Sequence, residues 1–158
     1  MSMRCQIVTQ ERLVFEGDVD SIVVRSDTGE MCILPGHEPL VAILTISPLR
    51  LRHDDEEDLY AISGGLIKVD ADGVIILVDT AEAAYEIDTL RAEESRRRSL
   101  EAVERIREMR KRLGQATVDE AARIQSEMDA HIAASRRAAT RLAVARKVGD
   151  PSLQVENE

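Results

Sequence analysis

The sequence predicts an α+β protein in which an N-terminal β-sandwich of about 8–10 short strands is followed by an antiparallel hairpin of two helices. Three observations support this fold. Apolar residues alternate with polar ones up to about residue 79, turn residues interrupt the alternation, and beyond residue 79 the apolar spacing becomes helical. The predicted units are a sandwich at 1–82, a helical hairpin at 83–149 and a disordered tail at 150–158.

Short segments of the first unit have the residue types and the alternation of strands. The segments are 5–9, 13–15, 19–25, 30–34, 41–46, 49–52, 58–63, 66–69 and 74–78. Turn residues separate them, among them Asp27-Thr28-Gly29, Pro35-Gly36 and Gly64-Gly65. Such spacing is typical of a sandwich or a barrel.

Capping residues predict where the two helices begin and end. Asp79 and Glu82 have the spacing of an N-cap residue and its reciprocal partner, so the first helix is predicted to start there. Gly114 provides a C-cap, and Thr117 with Glu120 repeats the N-terminal pattern. The second helix is predicted to run to about residue 148, and the short link makes the helices antiparallel neighbours.

Each helix has one thin apolar stripe for contact with the other. The stripes are Leu100, Val103, Ile106, Met109 and Leu113 in the first helix and Val118, Ala121, Met128, Ile132, Ala139 and Leu142 in the second. Between Leu90 and Leu100 a single alanine is the only apolar residue. The hairpin is therefore predicted to pack weakly at that point.

The composition restricts what the protein can bind. Its 158 residues are 44% apolar, but Phe15, Tyr60 and Tyr85 are the only aromatic residues, so the core must be aliphatic. Residues 1–84 hold 6 Lys and Arg against 16 Asp and Glu, which argues against a nucleic-acid partner. No apolar run reaches the roughly 18 to 20 residues of a membrane span, and a signal peptide is not recognisable. The sequence predicts a protein that is soluble or held at a membrane through protein contacts.

The residues that most often perform chemistry do not form a recognisable site. Cys5 and Cys32 have no metal-ligand spacing and are predicted to be buried thiols. The five acids at 54–58 lack the alternation and the glycine of a calcium loop, and they are predicted to form a solvated hairpin tip. Because no nucleophile with a base, paired carboxylates or metal cluster occurs at a telling spacing, we predict no catalytic residue and no metal site.

Two blocks resemble the epsilon subunit of bacterial F-type ATP synthases. The block at 29–40, GEMCILPGHEPL, is similar to the family's G-E-x-G-I-L-P-G-H-x-P-L. The block at 62–82 is similar to the family's S-G-G-F-x-E-V and A-D-T-A-E segments. The resemblance covers residues 3 to about 110, and Cys32, Glu38 and Lys68 depart from the family pattern, which puts local contacts in doubt but not the fold.

The resemblance implies a non-catalytic rotor subunit of the central stalk. Its sandwich would bind the gamma subunit and the c-ring and couple ion flow to ATP synthesis, with Glu30, His37 and Pro39 as interface candidates. Its hairpin would lie against the sandwich, or extend to the catalytic alpha/beta head and inhibit ATP hydrolysis. The implied location is the cytoplasmic face of the bacterial inner membrane, reached only through the complex. A buried or interfacial histidine is the alternative for His37.

The segment Ile87-Asp88-Thr89-Leu90-Arg91-Ala92 resembles the I-D-x-x-R-A motif through which some bacterial epsilon subunits bind ATP. Arg98 lies nearly two helical turns beyond Arg91, so both guanidinium groups can face one phosphate chain. The resemblance therefore implies a regulatory ATP site at Ile87, Asp88, Arg91, Ala92 and Arg98, with no cofactor required. The alternative is a solvated helix face, since Asp88 and Arg91 also form a stabilising i,i+3 pair.

Two other functions remain open from the sequence. The chain is also compatible with the epsilon subunit of an alternative sodium-type F-ATPase. A free-standing scaffold that binds its partner as a coiled coil is a different class of function. The second is weakened because the first helix does not sustain apolar a and d positions across residues 90–100.

Overall fold

The fold is described by a computed structural model that covers residues 1–112, 114 and 117–149. The predicted β-sandwich followed by two helices is confirmed. The strands are β1 Met3–Val8, β2 Leu13–Val19, β3 Ser21–Ser26, β4 Gly29–Ile33, β5 Leu40–His53, β6 Glu56–Asp70, β7 Gly73–Val78 and β8 Ala81–Ala83. A 3-10 turn at Ala84–Glu86 precedes the helices α1 Thr89–Arg112 and α2 Val118–Gly149. The predicted tail and Leu113 lie outside the described residues.

Two long strands connect the layers of the sandwich. The strand order is β2-β1-β7-β6-β5-β3-β4, and β8 also pairs with β6. β5 and β6 pair from Leu40 opposite Val69 to His53 opposite Glu56. β7 pairs with the second half of β6 and β8 with its first half, so each half of the long hairpin belongs to a different layer. This arrangement closes the aliphatic core between the layers.

β5 and β6 are each continuous, so the breaks predicted within them were wrong. Gly64 and Gly65, predicted to form a turn, lie inside β6 with φ values of 100° and 152°. Positive φ lets the strand bend between layers while its pairing with β5 continues. The predicted break between residues 46 and 49 is also absent, because Pro48 stays in register opposite Ala61 within β5.

The two cysteines have different environments. Cys5 is fully buried in the sandwich core, as predicted, and burial raises the pKa of its thiol to about 12. Cys32 is exposed, so its predicted burial was wrong. It lies on β4, the last strand in the order, at an outward position next to the buried Ile33. Strand alternation therefore directs its side chain away from the core.

The acidic run forms the predicted solvated hairpin tip. Asp54 and Asp55, with φ values of 49° and 64°, make the two-residue turn between β5 and β6. At its base, His53 Nε2 lies 2.7 Å from Asp58 Oδ2, and this hydrogen bond raises the pKa of His53. Within the described residues, no group of His, Cys, Asp and Glu is arranged to hold a metal ion.

The first helix begins later than predicted. Ala81 and Ala83 are buried in β8, which pairs with β6, so the expected helix start at Asp79 was wrong. The strand ladder and the burial of these two side chains outweigh the local capping pattern. Helix α1 begins after Asp88, whose Oδ1 accepts a hydrogen bond of 3.1 Å from the Arg91 N–H. Asp88 therefore caps α1.

The start of the second helix agrees with the sequence. Thr117 N–H donates to Glu120 Oε2 at 3.0 Å, and Glu120 N–H donates to Thr117 Oγ1 at 3.3 Å. The bond from Thr117 N–H, together with one of 3.0 Å from Thr117 Oγ1 to the same Oε2, lowers the pKa of the Glu120 carboxyl. Gly114 has a φ of 62°, the left-handed conformation that glycine takes at helix ends.

The helices contact each other through only part of their predicted stripes. Val103, Ile106 and Met128 are buried, with Ile124 and Ile132 packed against them. Leu100, Met109, Val118 and Ala121 were predicted to join this contact but are exposed. Farther toward the sandwich, the small residues Ala92 and Ser99 are buried instead. None of the helices in the described ranges is long and apolar enough to cross a membrane.

Candidate docking surface and ligand cleft

A row of apolar side chains crosses the outer face of one layer of the sandwich. Cross-strand pairing aligns Ile43 with Leu66, Leu66 with Leu77, Leu77 with Val8, and Val8 with Leu13. Paired residues share a face of the sheet. These five residues are called the apolar row. Ile43, Leu66, Leu77 and Leu13 are 43 to 58% exposed, and Val8 is partly buried.

On one side of the apolar row, the neighbouring cross-strand rows begin with an apolar residue on β5 and become charged on β6 and β1. Val41, 69% exposed, lies two residues from Ile43 and so points to the same face. Opposite Val41 is Lys68, and the following rows of this face contain Arg4 and Asp70. Contiguous exposed apolar patches with a polar rim mark interaction sites in soluble proteins. The face therefore has the properties of a docking surface.

The loop between β4 and β5 lies at one end of this surface. His37 is exposed, its N–H donates to the Leu34 carbonyl at 3.0 Å, and its Nδ1 lies 2.7 Å from the Glu38 carbonyl oxygen. Pro39 and Glu30 are exposed as well. Within this chain His37 is not buried, and the loop leads directly into the strand that carries Val41 and Ile43.

The C-terminal part of α2 rests on the other layer of the sandwich. Val144 is 0% exposed and packs with Leu59 and Ala61 of β6, next to Ala84 and Ile87. This cluster is called the seam. It holds α2 against the sandwich through a single fully buried valine.

One ion pair accompanies the seam. Arg141 Nη2 donates to Glu82 Oε1 at 3.1 Å, and Arg141 Nε lies 2.5 Å from Glu82 Oε2 but off the hydrogen-bond direction. A second pair joins the helices, between Arg146 Nη2 and Glu93 Oε1 at 3.6 Å. Among the described residues, the seam and the Arg141–Glu82 pair therefore join the hairpin to the sandwich.

The residues of the predicted ATP motif differ from one another in their surroundings. Asp88 caps α1, Ile87 packs in the seam, and Ala92 is fully buried. Arg91 and Arg98 are exposed, and the Arg98 guanidinium pairs with Glu94, which lowers the pKa of that carboxyl. The structure thus gives three of the five residues a local structural contact and leaves the two arginines at the surface.

A cleft of about 420 Å³ lies between the sandwich and the hairpin. Residues from both parts line it, including Thr9, Arg12, Ser63, Thr80 and Glu82 of the sandwich and Ser95, Arg137 and Arg141 of the helices. Arg91, Ser95 and Arg98 are spaced four and three residues apart, so they share one face of α1. The two arginines of the predicted motif therefore flank the position from which Ser95 enters the cleft.

Neither the apolar row nor the cleft was predicted from the sequence. In β7 every residue from Val74 to Val78 is apolar. The sequence of this strand therefore lacks the apolar–polar alternation that would distinguish outward-facing from inward-facing residues. The cleft joins segments as distant as Thr9 and Arg141. The only local signal for it was the pair Arg137 and Arg141, which are one helical turn apart.

Comparisons with known proteins agree with the observed fold. The family model for the ATP synthase Delta/Epsilon chain, beta-sandwich domain, matches residues 2–84. The ATP synthase epsilon chain of Bacillus licheniformis is 40% identical over 104 residues, or 66% of this chain and 79% of the relative. That of Bacillus cytotoxicus is 47% identical over 93 residues, or 59% of this chain and 70% of the relative. A chain of the Euglena gracilis mitochondrial ATP synthase, in a structure of OSCP, F1 and c-ring, has a TM-score of 0.63 at 27% identity and covers 87% of this chain and 81% of its own.

Proposed function

This chain belongs to the ATP synthase delta/epsilon family, and we propose that it is a non-catalytic subunit of the central stalk whose sandwich docks onto neighbouring rotor subunits. The observation that carries this proposal is the apolar row, which is continuous across five strands and exposed to solvent. Relatives that share its sandwich are named as epsilon chains of ATP synthases. The chain thereby transmits rotation and performs no bond-making step.

The gamma subunit and the c-ring are the proposed partners of the sandwich. The apolar row is suited to an apolar face of gamma, since burying a half-exposed Leu or Ile contributes roughly 1 kcal/mol. His37 and Pro39, exposed in the loop at one end of that surface, and Glu30, exposed on β4, are suited to the polar rim of the contact and to the c-ring. The subunit is then held at the cytoplasmic face of the bacterial inner membrane by the complex. A sodium-type F-ATPase would use the same surface, and the neighbouring genes distinguish the two.

Replacing Leu66 and Leu77 together by Glu is expected to abolish co-purification with tagged gamma subunit. Both side chains are already exposed, so the sandwich should keep its unfolding temperature, but docking would bury two carboxylates without partners. The matched control is Lys68→Glu, which makes the same change in net charge on the same face of β6. Undiminished co-purification of the folded double variant would show that the apolar row is not the docking surface.

We also propose that ATP is a regulatory ligand at the mouth of the cleft. Arg91 and Arg98 lie on either side of Ser95, which lines the cleft from α1. The Arg98–Glu94 pair is exposed, so releasing it costs less than about 1 kcal/mol. The Asp88 cap uses Oδ1, which leaves Oδ2 to accept from the ribose or the adenine amine. A bound ATP would favour the hairpin position that assembles this site.

Calorimetric titration with ATP tests this second role. The Arg91→Ala, Arg98→Ala double variant is expected to bind at least tenfold more weakly, because each charge-assisted hydrogen bond contributes about 1.5–3 kcal/mol. The double variant Arg105→Ala, Arg107→Ala removes the same charge from the same helix farther from the cleft and should bind like the parent. An absence of saturable binding by the parent chain would exclude the site.

A further inference from the structure

Arg12 is held at the cleft by a tight turn between β1 and β2. Thr9 N–H donates to the Arg12 carbonyl at 2.9 Å, and Arg12 N–H donates to Thr9 Oγ1 at 3.2 Å. Thr9 Oγ1 also donates to the Arg12 carbonyl at 3.2 Å. These bonds fix the backbone of Arg12, and both residues line the cleft from the side of the sandwich.

The guanidinium of Arg12 has only a weak partner. Its Nη2 lies 3.5 Å from Glu86 Oε2, and the side chains are 55% and 36% exposed. The same Oε2 accepts a hydrogen bond of 3.3 Å from Ala83 N–H. Long ion pairs at the surface contribute little stability, and a guanidinium has five N–H donors. Arg12 can therefore turn toward an anion in the cleft at small cost.

Arginines of α2 line the opposite wall. Arg137 is exposed and has no ion-pair partner among the residues that the structure describes, whereas Arg141 is held by Glu82. A volume of about 420 Å³ lies within the usual range of small-ligand sites. Guanidinium groups on two walls of one cleft are suited to a chain of phosphates, whose oxygens accept from both sides.

We infer that Arg12 is a phosphate-binding residue contributed by the sandwich, so that a nucleotide in the cleft is held by the sandwich and by α2 at once. This inference rests on the proposed role of ATP and adds to it a residue outside the hairpin. The acids Glu11 and Asp79 also line the cleft. They repel phosphate but accept from ribose hydroxyls or a base amine, so a nucleotide should bind more tightly than inorganic tripolyphosphate.

Calorimetric titration of the full chain with ATP and with tripolyphosphate tests the role of Arg12. Arg12→Ala is expected to weaken the binding of both ligands by about tenfold, because it removes one charge-assisted hydrogen-bonding group. Arg12→Lys should recover part of the affinity, because it keeps the charge but not the planar fork. Arg25→Ala, which removes an exposed arginine from β3, should leave both affinities unchanged.

Glu86→Gln separates a binding role from a purely structural one. The glutamine can still accept from Ala83 N–H but releases Arg12 from its ion pair. If Arg12 binds phosphate, this variant should bind ATP at least as tightly as the parent. If Arg12 supports the cleft only through its ion pair with Glu86, the variant should lose as much affinity for ATP as Arg12→Ala does. That result would overturn the inference.

The remaining outcomes distinguish this inference from the proposed ATP site. Parent-like ATP affinity in Arg12→Ala, with binding still weakened in the Arg91→Ala, Arg98→Ala variant, would overturn the role of Arg12 and leave the site in place. An absence of saturable ATP binding by the parent chain would overturn both. The unfolding temperature of each variant shows that the compared chains are folded.

Discussion

Replacing Gly65 by alanine is expected to unfold the sandwich. Gly65 has a φ of 152°, and a Cβ added there would lie 2.0 Å from the Leu77 carbonyl oxygen and 2.8 Å from the Val78 Cα. Both atoms belong to the backbone of β7, which pairs with β6 at this point, so neither can move without breaking the ladder. The free energy of unfolding is expected to fall by several kcal/mol, which is comparable with the total of about 5–15 kcal/mol for a typical domain.

Gly36→Ala is the matched control for this clash. Gly36 also has a positive φ, 83°, but an added Cβ would meet nothing within 4 Å. It should cost only backbone strain, on the order of 1–2 kcal/mol. Urea unfolding followed by circular dichroism measures both variants. If Gly65→Ala unfolds at the same urea concentration as Gly36→Ala, the contact with β7 is relieved in solution and this account of Gly65 is wrong.

The same glycine shows how far the sequence could predict the fold. Gly64-Gly65 correctly predicts a point of unusual backbone conformation. A turn and a bend within a strand both satisfy positive φ, however, and local sequence does not distinguish them. The distinction comes from β5 and β7, whose pairing on both sides keeps β6 continuous.

The start of the hairpin shows the same limit for helix capping. Asp79 and Glu82 have the right spacing for a cap, but Glu82 pairs instead with Arg141, which is 59 residues away. The local pattern was outweighed by a strand pairing and by a partner on another element. Thr117 and Glu120, where no strand is near, cap the helix as the sequence predicts.

The candidate sites were predictable to different degrees. The loop with His37 is one run of consecutive residues, and so is the motif with Arg91. A resemblance to a family could therefore locate each of them. The apolar row becomes visible only when five strands are placed in register. Arg12 has no motif of its own, and only the fold brings it to the cleft with Arg137.

Replacing Val144 by aspartate is expected to release α2 from the sandwich without unfolding the sandwich. A carboxylate buried against Leu59 and Ala61 would cost several kcal/mol. In the variant, undocking would expose Leu59 and Ala61, about 2–3 kcal/mol, and break one partly exposed ion pair, roughly 1 kcal/mol. Undocking is therefore the less costly response, and the sandwich keeps its separate core. Hydrogen exchange should accelerate in residues 138–147 and stay slow in β5 and β6.

The same variant tests whether the hairpin regulates the assembled complex. If the released hairpin inhibits, ATP hydrolysis should fall severalfold in a complex that carries Val144→Asp and rise in one whose chain ends at residue 87. Val118→Asp, which places the same charge at an exposed position of α2, should change neither hydrolysis nor exchange. The substitution frees the hairpin and the truncation removes it. If the hairpin is inhibitory, the two changes must therefore have opposite effects on ATP hydrolysis. Equal hydrolysis in the two complexes, with both subunits incorporated, would mean that the hairpin has no inhibitory role.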